Sequence, residues 1–382
     1  MLAKQQIARL AAVLAASALA AGAAPAQTCD FDPITQVVEG LLAANPQIPG
    51  VAVRLAKGEQ VLYERYFGSY SALTVVPIAS ATKLLSAATV MTLVDANTLD
   101  LDAPVSATLP AFTGQKAGMT LRQMFSHTSG LPGGTDPPVL ADKTITLAQA
   151  ADEIACCIAL AAAPGTQFAY GGLSMQVGGR VAEVADGRLW DALFAQRLAG
   201  PLGMTHTDYD GFGPTDNPRI AGGARSSLDD YGRLLEMLLG KGSFRGTRIL
   251  SETAVAQMWQ DQTLGVPIAF APVGFAGLRY GLGAWRNLVT AQGEPLRVSS
   301  PGAFGFTPWI DLDLGFYGIF MVVTNYTTLL DEMAQIQALA HAEIAACAPT
   351  PAVAATSPAG RAALALTLIA ASVVAWRRSR SC

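Results

Sequence analysis

Strand-like alternation lies near both ends of this chain, around a long helical middle, and that placement restricts the fold more than any other feature. Val51, Val53 and Leu55 alternate with smaller or polar residues, and Lys57-Gly58-Glu59 supplies a turn. Residues 61–67 follow as a second strand, so 50–68 reads as a hairpin. From about residue 280 the chain turns strand-like again, over 296–299, 304–310 and 316–323, with Asp311-Leu312-Asp313 as a turn and a closing helix over 329–346. Between them, 80–94 is a helix pattern rich in Ala, Leu and Thr. Roughly 95–260 holds helical runs broken by Gly/Pro loops such as 129–138. Ser226-Ser227-Leu228-Asp229-Asp230 supplies hydroxyl caps and first-turn acids for a helix over 234–239. The expected fold class is α/β (α+β): one antiparallel β-sheet built from both ends of the chain and flanked by helices, with an all-helical region inserted. The sheet region is expected over about 27–75 and 280–347, and the helical region over about 76–279. No internal repeat is visible.

The two termini read as addresses. Residues 1–26 have a basic start (Lys4, Arg9), an apolar run over 10–21 and a small-residue cleavage site, Ala24-Pro25-Ala26, the pattern of a secretory signal. Residues 348–361 form a Pro/Ala-rich linker. Residues 362–376 are an uncharged apolar helix candidate, followed by a basic tail at 377–382. Fifteen helical residues span about 22 Å, short of the roughly 30 Å hydrocarbon core, although Arg361 can snorkel and extend the reach. The expectation is an exported protein, periplasmic or at the cell surface, with a membrane contact through this C-terminal helix. The termini hold six of the 25 basic residues and none of the 29 acids, so the stretch between them carries a net charge of −10. So acidic a body is a poor match for nucleic-acid phosphates. Export permits disulfides. If the runs 34–44 and 329–346 pack antiparallel, Cys29 and Cys347 meet and can bridge. Cys156 and Cys157, adjacent inside a helical stretch over 147–163, are expected to be small buried hydrophobes, not a vicinal bridge.

Several chemistries lack their residues. No G-x-S-x-G elbow, G-x-x-x-x-G-K-[ST] loop or G-x-G-x-x-G fingerprint occurs, and the three histidines include no H-E-x-x-H pair. Neither a metal nor an organic cofactor is expected. What the chain does carry is Ser80-Ala81-Thr82-Lys83 at the start of an apolar helix. An i, i+3 pair shares one helix face, so the amine can approach the hydroxyl. The helix N-terminus favours negative charge on the serine, and apolar neighbours lower the lysine pKa so that it acts as a base. Such a spacing also occurs on ordinary surface helices, and further elements are needed to give it meaning. The second is Phe168-Ala169-Tyr170-Gly171-Gly172, where a phenol beside an ammonium has a lowered pKa and can relay the serine proton. A half-buried tyrosine at a helix cap is its ordinary explanation. The third is Val298-Ser299-Ser300-Pro301-Gly302-Ala303, where small residues let a strand's N–H face a substrate carbonyl, unless it is a plain strand with a bulge.

This ordered set resembles the serine β-lactamase/penicillin-binding superfamily, and within it class C β-lactamases, family VIII carboxylesterases and D-aminopeptidase-like proteins. Supporting stretches are 121–131 (LRQMFSHTSGL), Pro201-Leu202-Gly203-Met204, 225–250 and Tyr280-Gly281-Leu282-Gly283. The resemblance covers roughly 30–347 and implies a sheet domain and a helical domain with the site between them. It further implies Ser80 as the acylated nucleophile, Lys83 and Tyr170 as bases, and the N–H groups of Ser80 and Ala303 as the oxyanion hole. Substrate contacts are carried over to Gly172, Ser300 and Gly302. Two positions depart from the family pattern. Gly172 stands where Asn usually contacts the substrate, and Ser300 stands where Lys or His usually precedes the small-Gly pair. The second change removes a cation suited to a substrate carboxylate, which favours a small-molecule ester or amide over β-lactams and D-Ala peptides, the cell-wall-derived type. Phe304, Phe306, Trp309 and Trp285 are candidates for an apolar acyl pocket or for core, and His127 is expected to hold its loop. The expected activity is an exported serine hydrolase working through an acyl-enzyme. A β-lactamase or D-Ala-type peptidase and a catalytically silent surface binding protein are the rival readings.

Overall fold

The alternating end segments pair with each other. In the computed structural model, which describes residues 29–347, β1 (Gly50–Lys57) and β2 (Gln60–Gly68) form the expected hairpin. The later strands are β3 (Arg279–Tyr280), β4 (Trp285–Val289), β5 (Pro295–Ser299), β6 (Thr307–Asp311) and β7 (Phe316–Met321). They join in one seven-stranded antiparallel sheet of order β2-β1-β7-β6-β5-β4-β3. The first hairpin closes onto the last strand, with Ala52 opposite Met321 and Leu55 opposite Gly318. Because β1 is an interior strand, paired on both sides, its small alternate residues Ala52 and Ala56 are buried along with Val51, Val53 and Leu55. This α/β architecture is the one the end-to-end alternation implies.

Helices cover the sheet and fill the middle of the chain. The first, α1 (Asp32–Ala44), takes Pro33 in its opening turn and buries Ile34, Val38 and Leu41 at i, i+4 and i+7. The next, α2 (Thr82–Asp95), is buried from Thr82 to Leu93 on every side, as an apolar helix without a polar face must be. The inserted region also contains α3 (Leu147–Cys157) and α4 (Leu173–Asp186). On α5 (Leu228–Leu239), Ser227 caps the first turn by accepting the Asp230 N–H at 3.2 Å, and Leu228, Tyr231, Leu234, Leu235 and Leu238 face inward. Its Asp229 meets Arg54 of β1, which also pairs with Glu64 of β2, so a nearly buried guanidinium ties helix to hairpin. The last helix, α6, runs Leu330–Cys347.

Several boundaries differ from the sequence reading. The stretch 147–163 is helical only to Cys157. Beyond it, the N–H groups of Ala161 and Ala162 bond the Gly130 carbonyl and that of Gly165 bonds Thr128, so tertiary hydrogen bonds replace helical ones. Cys156 and Cys157 are exposed and bridged to each other rather than buried, because they lie past the apolar stripe Leu147, Ala150, Ala151 and Ile154. The strand expected from 304 begins at Thr307, after a turn in which the Gly302 N–H donates to the Phe306 carbonyl at 2.8 Å. Ser80 occupies a 3-10 turn, Ala79–Ala81, immediately before α2.

Phe31–Ala342 forms one compact unit. Of the other, the described parts are 29–30 and 343–347. There Cys29 and Cys347 are joined by a disulfide across 318 residues of sequence, and the Asp30 N–H donates to Glu343 at 2.7 Å. The expected signal segment 1–26, the linker 348–361, the apolar run 362–376 and the tail 377–382 lie outside the described residues. Among the described residues, no helix is long and apolar enough to cross a membrane.

Candidate active site

The turn that carries Ser80 is held in an uncommon conformation. Ala79 has φ 45°, in the left-handed region that a residue with a Cβ seldom occupies, and strain of this kind collects at functional sites. One turn on, Lys83 brings Nζ to 3.0 Å from Ser80 Oγ. The same amine donates to the Ala221 carbonyl at 2.8 Å and lies 4.5 Å from the centre of the Tyr170 ring. Lys83 is only 4% exposed, and burial lowers its pKa from the usual lysine range to about 7. The Asp136 carboxylate opposes that shift and the Arg219 guanidinium adds to it.

Tyr170 reaches the site from a different segment. It follows the short strand Phe168–Ala169, which pairs in parallel with Ile268–Phe270. The Ala169 N–H bonds the His127 carbonyl, and the Tyr170 N–H bonds that of Phe270. Burial raises the pKa of the phenol, and a hydrogen bond with Ser80 only partly offsets this. The expectation of a lowered phenol pKa is therefore corrected: desolvation outweighs the hydrogen bond with Ser80, and the group whose pKa falls to near neutrality is Lys83. His127, with φ 58°, packs its ring 4.6 Å from that of Tyr170, and both burial and Lys83 disfavour its charged form.

Ser80, Tyr170, Gly302 and Ala303 line one cleft of about 130 Å³. Gly302 is needed for the close approach of its strand, since a Cβ there would lie 2.1 Å from the Ile78 carbonyl oxygen. Ala303 follows on the exposed side of this turn, and its carbonyl accepts from the Tyr326 N–H. Ser300 differs from its expected place. It is 2% exposed and donates its hydroxyl to the carbonyls of Ser80 (3.2 Å) and Gly283 (3.0 Å), so it braces the nucleophile's turn and does not line the cleft. Gly172 is not in the cleft wall either: its N–H donates to Asp136 Oδ1 at 3.1 Å.

The rest of the cleft is mostly apolar and aromatic, with Asn325 and Thr327 as its uncharged polar members. Tyr170 stacks on Trp285 with ring centres 5.1 Å apart, Trp285 on Phe275 at 4.7 Å, and Phe275 on Tyr326 at 5.9 Å. Of the four aromatics singled out from the sequence, only Trp285 lines this cleft. Phe306 and Trp309 are core, and Phe304 packs against Phe212. Phe275, Tyr326, Asp136, Arg219 and the Ala221 carbonyl were not read from the sequence. Each lies in an irregular segment with no periodicity to mark it. Every residue lining the cleft is uncharged. Among the described residues, no three of His, Cys, Asp and Glu are arranged to hold a metal ion.

Comparison with known proteins shows the family and the fold. The family model described as Beta-lactamase matches residues 34–342. A solved structure from Bacteroides dorei, a provisionally assigned beta-lactamase, is 34% identical, with TM-score 0.72, covering 81% of this chain and 100% of that one. The D-alanyl-D-alanine-carboxypeptidase/endopeptidase AmpH of Escherichia coli is 27% identical over 285 residues, 66% of this chain and 71% of AmpH. EstCE1, described as a hydrolase with promiscuous acyltransferase activity, shares the fold at 20% identity and TM-score 0.66, covering 81% of this chain and 99% of its own.

Proposed function

The chain belongs to the beta-lactamase family of serine hydrolases, and on that premise we propose that it is an exported hydrolase that cleaves an ester or small amide through an acyl-enzyme on Ser80. The observation that carries this reading is the 3.0 Å approach of a buried amine, with its pKa near 7, to a half-buried hydroxyl at the cleft. In the first step Ser80 Oγ attacks the substrate carbonyl carbon and gives its proton to neutral Lys83. The N–H groups of Ser80 and Ala303 face the oxyanion. Collapse breaks the bond to the leaving group, which takes the proton from Lys83 by way of the Tyr170 hydroxyl. Water then attacks the acyl carbon, its proton passes to Lys83, and Ser80 Oγ departs with a proton.

The uncharged, aromatic cleft supports an ester or neutral amide as the substrate class. Ser300, standing where the family usually has a cation, is turned to backbone carbonyls, and a substrate carboxylate would find no charged partner on the cleft wall. The relationship to AmpH keeps a D-alanyl peptide as the second reading. Exposure to a fluorophosphonate and to a labelled penicillin, with the adduct mapped, separates them. Labelling at Ser80 by the fluorophosphonate alone is expected. Labelling by both would move the assignment to a penicillin-recognising enzyme, and labelling by neither to a silent binding protein.

A further inference from the structure

The place where the family carries Asn is filled here by another segment. A Cβ built on Gly172 would meet Asp136 Oδ1 at 2.8 Å and Leu140 Cδ1 at 2.6 Å, so side chains from the loop after His127 already occupy that space. Asp136 uses both carboxylate oxygens. Oδ1 accepts the Gly172 N–H at 3.1 Å, and Oδ2 accepts Arg219 Nη2 at 2.8 Å. Arg219 leads in turn to the lysine. Its own carbonyl accepts the N–H groups of Gly222 (3.0 Å) and Gly223 (2.7 Å), closing the turn that presents the Ala221 carbonyl to Lys83 Nζ. Its guanidinium also lies 5.0 Å over the Phe212 ring, which steadies its direction. An unbroken path therefore runs from the turn carrying Tyr170, through the ion pair, to the turn that holds the lysine.

We propose that Asp136 and Arg219 form a positioning pair that replaces the absent second-motif side chain, tying the Tyr170 turn to the Ala221 turn and setting the field at Lys83 from two opposite charges. The inference rests on Lys83 as the base in the proposed function. It goes beyond that reading because neither residue belongs to the motifs at Ser80, Tyr170 or Ser300 from which that reading is built. The groups facing Lys83 are Ser80 at the start of its own helix, the Tyr170 ring, the neutral His127 ring behind that tyrosine, and the two members of the pair. Of these, only the pair carries charge at neutral pH. Removing the acid while keeping the shape leaves Arg219 unopposed and disfavours ammonium at Lys83. Removing the guanidinium does the reverse.

The test uses the whole chain with lysines labelled at Cε, the Lys83 signal being assigned from a Lys83→Ala sample. The pair is partly exposed and therefore screened, so the shifts are small: Asp136→Asn should lower the Lys83 titration midpoint by roughly a few tenths of a pH unit, and Arg219→Gln should raise it by a similar amount. The acid limb of kcat/KM for an ester should follow each shift. Asn keeps an acceptor for the Gly172 N–H but offers Arg219 only an amide NH2, so the ion pair is lost while the Gly172 tie stays, and far-UV circular dichroism checks that the variant is folded. Asp136→Ala, which removes that tie as well as the charge, should cost more turnover than Asp136→Asn, and equal losses would count against the positioning role of the carboxylate. Midpoints that coincide with wild type, or that move the same way in both variants, would overturn the pair's role. A wild-type protein that titrates as expected but hydrolyses no ester would instead count against the proposed function.

Discussion

Burial turns Lys83 from an ordinary cation into a candidate base. Its amine is almost fully enclosed, bonded to Ser80 and to one backbone carbonyl, and its pKa falls to about 7. As a base it must be neutral, so kcat/KM should fall as pH drops below about 7, with one ionisation governing that limb. Lys83→Ala should cost about 10²- to 10⁴-fold in turnover and abolish the limb. A limb still present in that variant would assign it to another group. The phenol, whose pKa burial raises, stays protonated through this range, which fits the relay role given to it in the proposed mechanism better than that of a second base. The serine–lysine pair was legible because an i, i+3 spacing is a local property. The direction of the tyrosine shift was not, because it depends on how much of the molecule closes over the ring.

At the scale of elements, the site depends on how closely the β5–β6 turn approaches the Ser80 turn. Gly302→Ala would place a methyl group against the Ile78 carbonyl. It should destabilise the protein by about 1–3 kcal/mol and reduce turnover at least tenfold by shifting the Ala303 N–H. Urea unfolding together with ester turnover checks both. Unchanged values would mean that the approach is unimportant. Five of the seven sheet strands were readable from the sequence, β3 and β4 were not marked by it, and α5 was readable from its cap and first-turn acids. Helix ends were less so: residues 158–165 are drawn out by bonds to the 128–130 loop, and no single-residue preference encodes that competition. The vicinal cysteines were misjudged for the same reason, since the end of α3 decides their exposure. Asp136, Arg219, Phe275 and Tyr326 come from loops, where pattern gives no guide and only the folded chain brings them together.

For the molecule as a whole, building one sheet from both chain ends brings distant segments to a single floor. Ser80 precedes a buried helix, Tyr170 follows a short strand of the inserted region, and Gly302 and Ala303 sit at the turn between β5 and β6. The Cys29–Cys347 bridge links the two extremes of the described chain, a covalent restraint suited to an oxidising compartment. The account stands on Ser80 as the acylated group, and a substitution at that one atom tests it most directly. Turnover of a short-chain p-nitrophenyl ester by wild type and by Ser80→Ala should be compared, with far-UV circular dichroism as the check on folding. The account predicts hydrolysis by wild type and none above background by a folded Ser80→Ala variant. Hydrolysis at an undiminished rate in that variant would contradict it.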